Sequence, residues 1–270
     1  MPTPPTLVCV HAHPDDEAIF TAGVTAHYVA RGCRVVLVTC TSGNLGIDAA
    51  GRPGSHPDHD ANGTRAVRAA ELQRAAELIG YTRVVSLGFD DSGLPGWSQN
   101  SRAGAFMNAD VDAVGRVLAA LFDEVGASVV VTYDENGFYG HPDHIAANAV
   151  TRRGVELSTS VERLYYPVAP ARVLEAFRPL AKARGVFMPA WVMRGIGVSD
   201  ERVATTMDVA HHAGLKQRAL ATHASQVDNA DLVTMDEDLF TMLFGTEYYE
   251  RAWSRSPVVG DEHDLLAGLA

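Results

Sequence analysis

A chain of 270 residues, 47% hydrophobic and 20% charged, has the composition of a folded globular protein with room for a substantial core. Its 22 basic and 33 acidic residues give a net charge of −11, which argues against nucleic acid or an anionic membrane as partner, because phosphate binding takes clustered Lys and Arg. Cys9, Cys33 and Cys40 lie in or beside apolar segments with no C-x-x-C spacing, MPTPPT lacks the basic-then-apolar order of a signal peptide, and no apolar run nears the ~18 residues of a membrane span, so a cytoplasmic protein with reduced thiols is expected.

The predicted elements start with a strand, TLVCVHA (6–12), then an amphipathic helical stretch to about residue 31 and a strand, CRVVLVTC (33–40). A long loop leads to a helix over about 64–79 and a strand, RVVSLGF (83–89). A second loop, a helix over about 109–124, a strand, ASVVVTYD (127–134), and a helix over about 141–156 complete the series. Near-continuous apolar strands alternating with helices predict an α/β fold: a Rossmann-like, mostly parallel sheet with helices on both faces. Beyond residue 156 the pattern weakens, with strands expected at 161–169, 191–199 and 202–209 and helices near 170–183, 210–224 and 236–245. One domain, 1–270, is expected, with a core at 1–156 and a C-terminal extension at 157–270 that caps the active-site edge.

Sheets of this kind bind ligands at the carboxyl ends of their strands. The loops there are HPDDE, TSGNLGIDAAGRPGSHPDHDANG, DDSGLPGWSQNSRAG and ENGFYGHPDH, and they concentrate the chain's His, Asp and Gly, whereas the opposite edge has only RG, GYT and VGA. HPDDE also has the marks of a helix start, since Pro14 suits the first turn and the acids favour the positive end of the helix dipole. That leaves His13 unexplained, where Ser, Thr or Asn would be the ordinary cap. His13 and Asp16 are three residues apart and can face one point beyond the strand, a partial ligand set of the mixed N/O type that zinc accepts. The next ligand must come from another loop of the same edge, and YGHPDHIAAN (139–148) offers His141 and His144 in the same three-residue relation. A second HPDH at 56–59 follows no strand and precedes no clear helix, so His56 and His59 read as the surface of a flexible loop. His27, His211, His212 and His263 read as ordinary satisfied or exposed histidines. A dinucleotide site is excluded, because G-x-G-x-x-G is missing and HAHPDDE would set carboxylates where a pyrophosphate lies.

The motifs AHPDDE (12–17) and GHPDH (140–144) resemble the signature pair of the LmbE-like/PIG-L family of zinc-dependent N-acetylglucosaminyl deacetylases. GVTAHYVARGCRVVLVTCTSG (23–43), RAAEL (68–72), DSGLPGW (91–97), VVVTYDENGFYGHPDH (129–144) and KQRALATHASQ (216–226) are similar to the mycothiol deacetylase and mycothiol S-conjugate amidase branch. The resemblance implies that His13, Asp16 and His144 hold one Zn²⁺, with Fe²⁺ compatible with the same set. It implies Asp15 as general base, His141 facing the substrate carbonyl as an electrostatic stabiliser or proton donor with Asp143 orienting it, and a Tyr139 hydroxyl on the oxyanion. Arg68 and Asp91 match positions that hold the sugar. Asn44 stands in TSGNLG where that branch has T-x-G-E, which leaves the acceptor open.

The expected activity is hydrolysis of the N-acetyl amide of an amino sugar or glycoconjugate, a small molecule, giving acetate and a free amine. An amidase for a larger acyl group, of the thiol-conjugate type, and a non-catalytic carbohydrate-binding relative are the competing readings. A phosphoesterase of the two-metal kind lacks its second carboxylate-rich site. Oligomeric state is open, and a homo-oligomer is compatible with the sequence.

Overall fold

Strand β1 (Thr6–His11) is buried at every residue, and its side chains divide between two cores. Val8 and Val10 join Val36, Val130, Leu118, Phe122 and Val150, whereas Leu7 and Cys9 join Val24, Tyr28, Leu37, Leu72 and Val129. Alternation with period two, apolar on both sides, forces helices onto both faces. The computed structural model describes residues 5–186, 196–258 and 263–269.

Six further strands complete the sheet: β2 (Arg34–Thr41), β3 (Arg83–Phe89), β4 (Ala127–Val131), β5 (Arg163–Val168), β6 (Thr205–Asp208) and β7 (Thr246–Ser254), in the order β3-β2-β1-β4-β5-β7-β6. β1 to β5 pair in parallel, and β7 runs antiparallel to both β5 and β6. The helices are α1 (Asp16–Phe20), α2 (Ala22–Ala30), α3 (Ala61–Ile79), α4 (Val111–Val125), α5 (Gly137–Gly140), α6 (Pro142–Leu157), α7 (Ala171–Ala183), α8 (Ala213–Ala221), α9 (Ala230–Val233) and α10 (Glu237–Phe244). α4 and α6 cover one face, and α2 and α3 the other. Among the described residues no helix is long and apolar enough to cross a membrane.

Local chemistry sets the boundaries. Asp60 accepts the Gly63 N–H at 2.9 Å and starts α3 three residues earlier than expected, and Gly80 ends it in a left-handed conformation, φ 101°. Asp110 caps α4 through the Ala113 N–H at 3.0 Å. The stretch expected as one helix to residue 31 breaks at Thr21, whose hydroxyl lies 2.8 Å from His11 Nε2. Strand β7, TEYYERAWS, has no counterpart among the predicted elements. Its alternation is masked by Glu247, which points inward to meet Lys216 at 2.7 Å, the Gly23 and Val24 N–H groups at 3.0 Å each and the Tyr249 hydroxyl at 2.7 Å. The strand expected at 191–199 falls largely outside the described residues, and Val198 forms only an isolated bridge with Pro170.

Lys216 and Glu247 are 2% and 6% exposed, so removing one charge strands the other in a dry setting. The expected outcome for Glu247→Ala is a loss of about 3–5 kcal/mol of stability in urea unfolding, and a loss below about 1 kcal/mol would show the pair to be dispensable.

Candidate metal and catalytic site

The chain moves from β1 to β2 and β3 on one side, then returns to β4 on the other side of β1, so the strand order reverses between β1 and β4. A crevice opens at such a reversal, at the carboxyl ends of the two strands. The loop after β1 carries His13 to Glu17, and the segment after β4 carries Tyr133 to His144. Residues about 130 apart in sequence are thereby brought into contact.

His13 Nδ1 lies 3.3 Å from Asp16 Oδ2 and 3.3 Å from His144 Nε2, and His144 Nε2 lies 3.5 Å from Asp16 Oδ1. All three residues are buried. Two ligand atoms of a tetrahedral ion, each ~2.0–2.1 Å from it, stand ~3.3 Å apart, which matches the separation of the His13 and His144 nitrogens, while Asp16 meets the two rings through different oxygens and His141 also brings a ring nitrogen within 4.8 Å of theirs. Asp16 is held by the His13 N–H at 2.7 Å and by the Tyr133 hydroxyl at 2.7 Å. Tyr133 in turn accepts the Ala12 N–H at 2.9 Å and stacks on His144 with ring centroids 4.0 Å apart. Tyr133 escaped the sequence reading; its only signal was its place two residues beyond a strand that ends at the crevice.

The other nitrogen of His13, Nε2, faces Asp143 Oδ2 at 3.2 Å and Asp91 Oδ1 at 3.8 Å. Ser92 fixes Asp143 through its N–H at 2.9 Å and its hydroxyl. The Asp143 carboxylate thus meets His13, and toward His141, which the resemblance implied it orients, Asp143 offers its backbone N–H. Against burial, which lowers it, the carboxylates of Asp91, Asp143 and Asp16 hold the His13 imidazole well above the usual histidine range. Burial, joined by the neighbouring His13 and His11, pushes His144 down to about 4 against the pull of Asp16 and Asp143.

His141 caps α6, with Pro142 in its first turn, and its Nδ1 accepts the Asp143 N–H at 3.2 Å. An Nδ1 used as acceptor leaves the proton on Nε2 in the neutral ring. Burial and then the neighbouring His13 and His144 push His141 well below the usual range, which favours the neutral ring and the proton-donor alternative over a positive charge. Tyr139, whose ring centroid is 5.0 Å from that of His144, joins His141, Gly140, Leu94, Pro95 and Trp97 around a cavity of about 250 Å³.

Asp15 has φ 126°, one of two non-glycine residues in the left-handed half of backbone space among the described residues, the other being Phe138. Its N–H donates to Glu17 Oε2 at 2.9 Å, and Glu17 Oε1 is 2.6 Å from His223 Nε2. The Asp15 carboxylate meets Arg68 Nη2 at 3.2 Å and Asn229 Nδ2 at 3.2 Å. Burial raises it to about 6, against the pull of Arg68. Arg68, matched to a sugar-holding position, is itself buried and donates to the carbonyls of Gly43, at 3.0 Å, and Pro14. Asn44 is also occupied, its Oδ1 accepting the Asp91 N–H at 2.8 Å.

The second HPDH stays away from this cluster. Its loop, read as flexible, is tied together by the Asp48 carboxylate, which gathers the N–H groups of Ala50, Arg52 and Asp60 and the Arg52 guanidinium. His59 Nε2 sits 2.8 Å from the Gly46 carbonyl, and neither His56 nor His59 enters a group able to hold a metal among the described residues.

The chain matches the family model for PIG-L, GlcNAc-PI de-N-acetylase, over residues 8–155. It is 36% identical over 280 residues to a 1D-myo-inositol 2-acetamido-2-deoxy-alpha-D-glucopyranoside deacetylase of Salinispora arenicola, covering 97% of this chain and 91% of the relative. Its fold is similar to that of N,N'-diacetylchitobiose deacetylase from Pyrococcus horikoshii, with a TM-score of 0.57, 19% identity and coverage of 91% and 82% of the two chains. It is equally similar to GalB, a 4-carboxy-2-hydroxymuconate hydratase from Pseudomonas putida, with a TM-score of 0.60, 15% identity and coverage of 95% and 100%. A fold shared by a hydratase and a deacetylase does not by itself name a reaction.

The backbone at Asp15 yields a direct test. A glycine there escapes the cost of about 1–3 kcal/mol attached to such a conformation, whereas an alanine does not. Asp15→Gly is expected to be about 1–2 kcal/mol more stable than Asp15→Ala in urea unfolding, both having lost the same carboxylate contacts. Equal stability would mean that the turn carries no strain.

Proposed function

The chain belongs to the PIG-L, GlcNAc-PI de-N-acetylase, family, and from that premise we propose that it hydrolyses the N-acetyl amide of an amino sugar or glycoconjugate with one zinc ion held by His13, Asp16 and His144. The observation that carries this reading is the buried meeting of His13 Nδ1 and His144 Nε2 at 3.3 Å, with one Asp16 carboxylate oxygen 3.3 Å from the former and the other 3.5 Å from the latter. Its electrostatics fit a cation: the negative field that lifts the His13 pKa is the field in which a divalent ion is stable. Asp143 on the far nitrogen of His13 supplies the carboxylate support that ligating histidines ordinarily have. Fe²⁺ accepts the same donors, and metal analysis of the purified protein separates the two.

When bound, zinc supplies Lewis acidity, polarising a carbonyl oxygen and lowering the pKa of a water molecule. Asp15, with its pKa near 6, takes the proton from the water that attacks the amide carbon and returns it to the nitrogen as the C–N bond breaks. Arg68 and Asn229 hold that carboxylate in place. His141 donates its Nε2 proton in a hydrogen bond to the carbonyl oxygen while negative charge builds there, and Tyr139 stands beside it at the cavity wall. The products are acetate and a free amine.

The relatives named as inositol-linked glucosamine deacetylases support an amino-sugar substrate. Asp91 and Asn44 are the polar groups for its hydroxyls, with Asn44 acting through the Asp91 backbone it already holds. The cavity walled by Leu94, Pro95 and Trp97 also favours a second reading, in which a bulkier acyl group or aglycone lies against it. The three free thiols suit the cytoplasm, the compartment this reading gives the enzyme.

Assay of the metal-replete protein on N-acylated amino sugars by mass spectrometry is expected to show acetate release, with bulky acyl analogues cleaved more slowly. Faster cleavage of the bulky series would favour the amidase, and metal binding without cleavage of any amide would leave only a carbohydrate-binding role. Asp15→Asn is expected to keep its metal and lose roughly 10²–10⁴ in turnover. His144→Ala is expected to lose the metal itself, and Asp143→Asn to weaken metal affinity about 10–100-fold through His13. Full activity in Asp15→Asn would remove that carboxylate from the reaction.

A further inference from the structure

His27, His211 and His212, unremarkable in the sequence, converge on one surface. His27 lies on α2, one turn from its end, and His211 and His212 occupy the 3-10 turn Ala210–His212 that follows β6. Each can present a ring nitrogen within 4.8 Å of the others, and the rings of His211 and His212 lie 3.9 Å apart between centroids. From this juxtaposition we infer a second metal site, in which His27, His211 and His212 take a divalent transition ion of the zinc class and tie α2 to the turn after β6.

Three features support it. The donor set is three imidazoles, suited to Zn²⁺, Ni²⁺ and Cu²⁺ and unsuited to the hard cations Mg²⁺ and Ca²⁺. His212 Nε2 is buried with no hydrogen-bond partner among the described residues, a position a ligand would satisfy. His211 is exposed and the other two are half-buried, which leaves the rings, whose nitrogens already lie within 4.8 Å of one another, free to settle at the ~3.3 Å that a tetrahedral ion needs. One group opposes the site: Arg31 Nη1 lies 3.2 Å from His27 Nε2, and the ion must displace it. None of these four residues touches the triangle at His13, so the site stands or falls independently of the catalytic reading.

The test is equilibrium dialysis of the full chain against micromolar free Zn²⁺, with zinc counted per chain. His211→Ala and His27→Gln are expected to bind one equivalent fewer than the unaltered protein, with turnover at submicromolar zinc unchanged as evidence of intact folding. His144→Ala is expected to retain this equivalent. Arg31→Ala is expected to tighten it roughly tenfold, the repulsion of one cation from a divalent ion a few ångströms away in water. Equal zinc content in His211→Ala, His27→Gln and the unaltered protein would overturn the site, as would unchanged affinity in Arg31→Ala.

Discussion

Asp16, Asp143 and Asp91 stand 3.3, 3.2 and 3.8 Å from the ring nitrogens of His13, and all four residues are buried. Placing three carboxylates around one imidazole costs several kcal/mol per ion unless positive charge and hydrogen bonds offset it. Much of the surrounding architecture supplies that offset in fixed dipoles. Tyr133 and the His13 N–H serve Asp16, Ser92 serves Asp143, and the Gly93 N–H serves Asp91 at 2.7 Å. On the proposed reading the remaining positive charge is the ion, and its ligands are held in place by groups that have no other work at the crevice.

The same electrostatics separates two histidines that look interchangeable in the sequence. His141 and His144 are three residues apart at the start of one helix, and either could have been the third ligand. His141 spends Nδ1 on the helix cap and keeps a proton on Nε2, which fits it to donate. His144 lies under the Tyr133 ring with Nε2 turned to the triangle, which fits it to ligate. Asp15 is the counterpart on the other loop: its strained backbone, pinned through Glu17 and His223, holds a carboxylate next to Asp16 without placing it in the triangle. The C-terminal half contributes directly, since His223 and Asn229 come from it.

Much of this was legible in the residues themselves. Strand-helix alternation through residue 156 marked the parallel sheet and therefore the edge at which HPDDE and GHPDH had to meet. The local tetrapeptide was not enough, because the HPDH at 56–59 has the same letters without a strand to place it. What stayed hidden depends on contacts between distant segments. Strand β7 was obscured by an inward Glu247 that makes sense only once Lys216 is beside it. Nothing in the letters marks Tyr133, and the Asp143 carboxylate meets the histidine of the other loop, a contact that the resemblance, which sets it beside His141, does not convey. His27 and His211 are 184 positions apart, and spacing carries no information over such a range.

The account rests on which nitrogens and oxygens surround the ion. Crystals of the zinc-loaded protein, measured at the zinc absorption edge, settle that directly. The expected anomalous peak lies ~2.0–2.1 Å from His13 Nδ1, Asp16 and His144 Nε2, with His141 outside bonding distance. A peak bonded to His141 in place of His144 or Asp16, or no peak at this crevice in protein that is active, would contradict it.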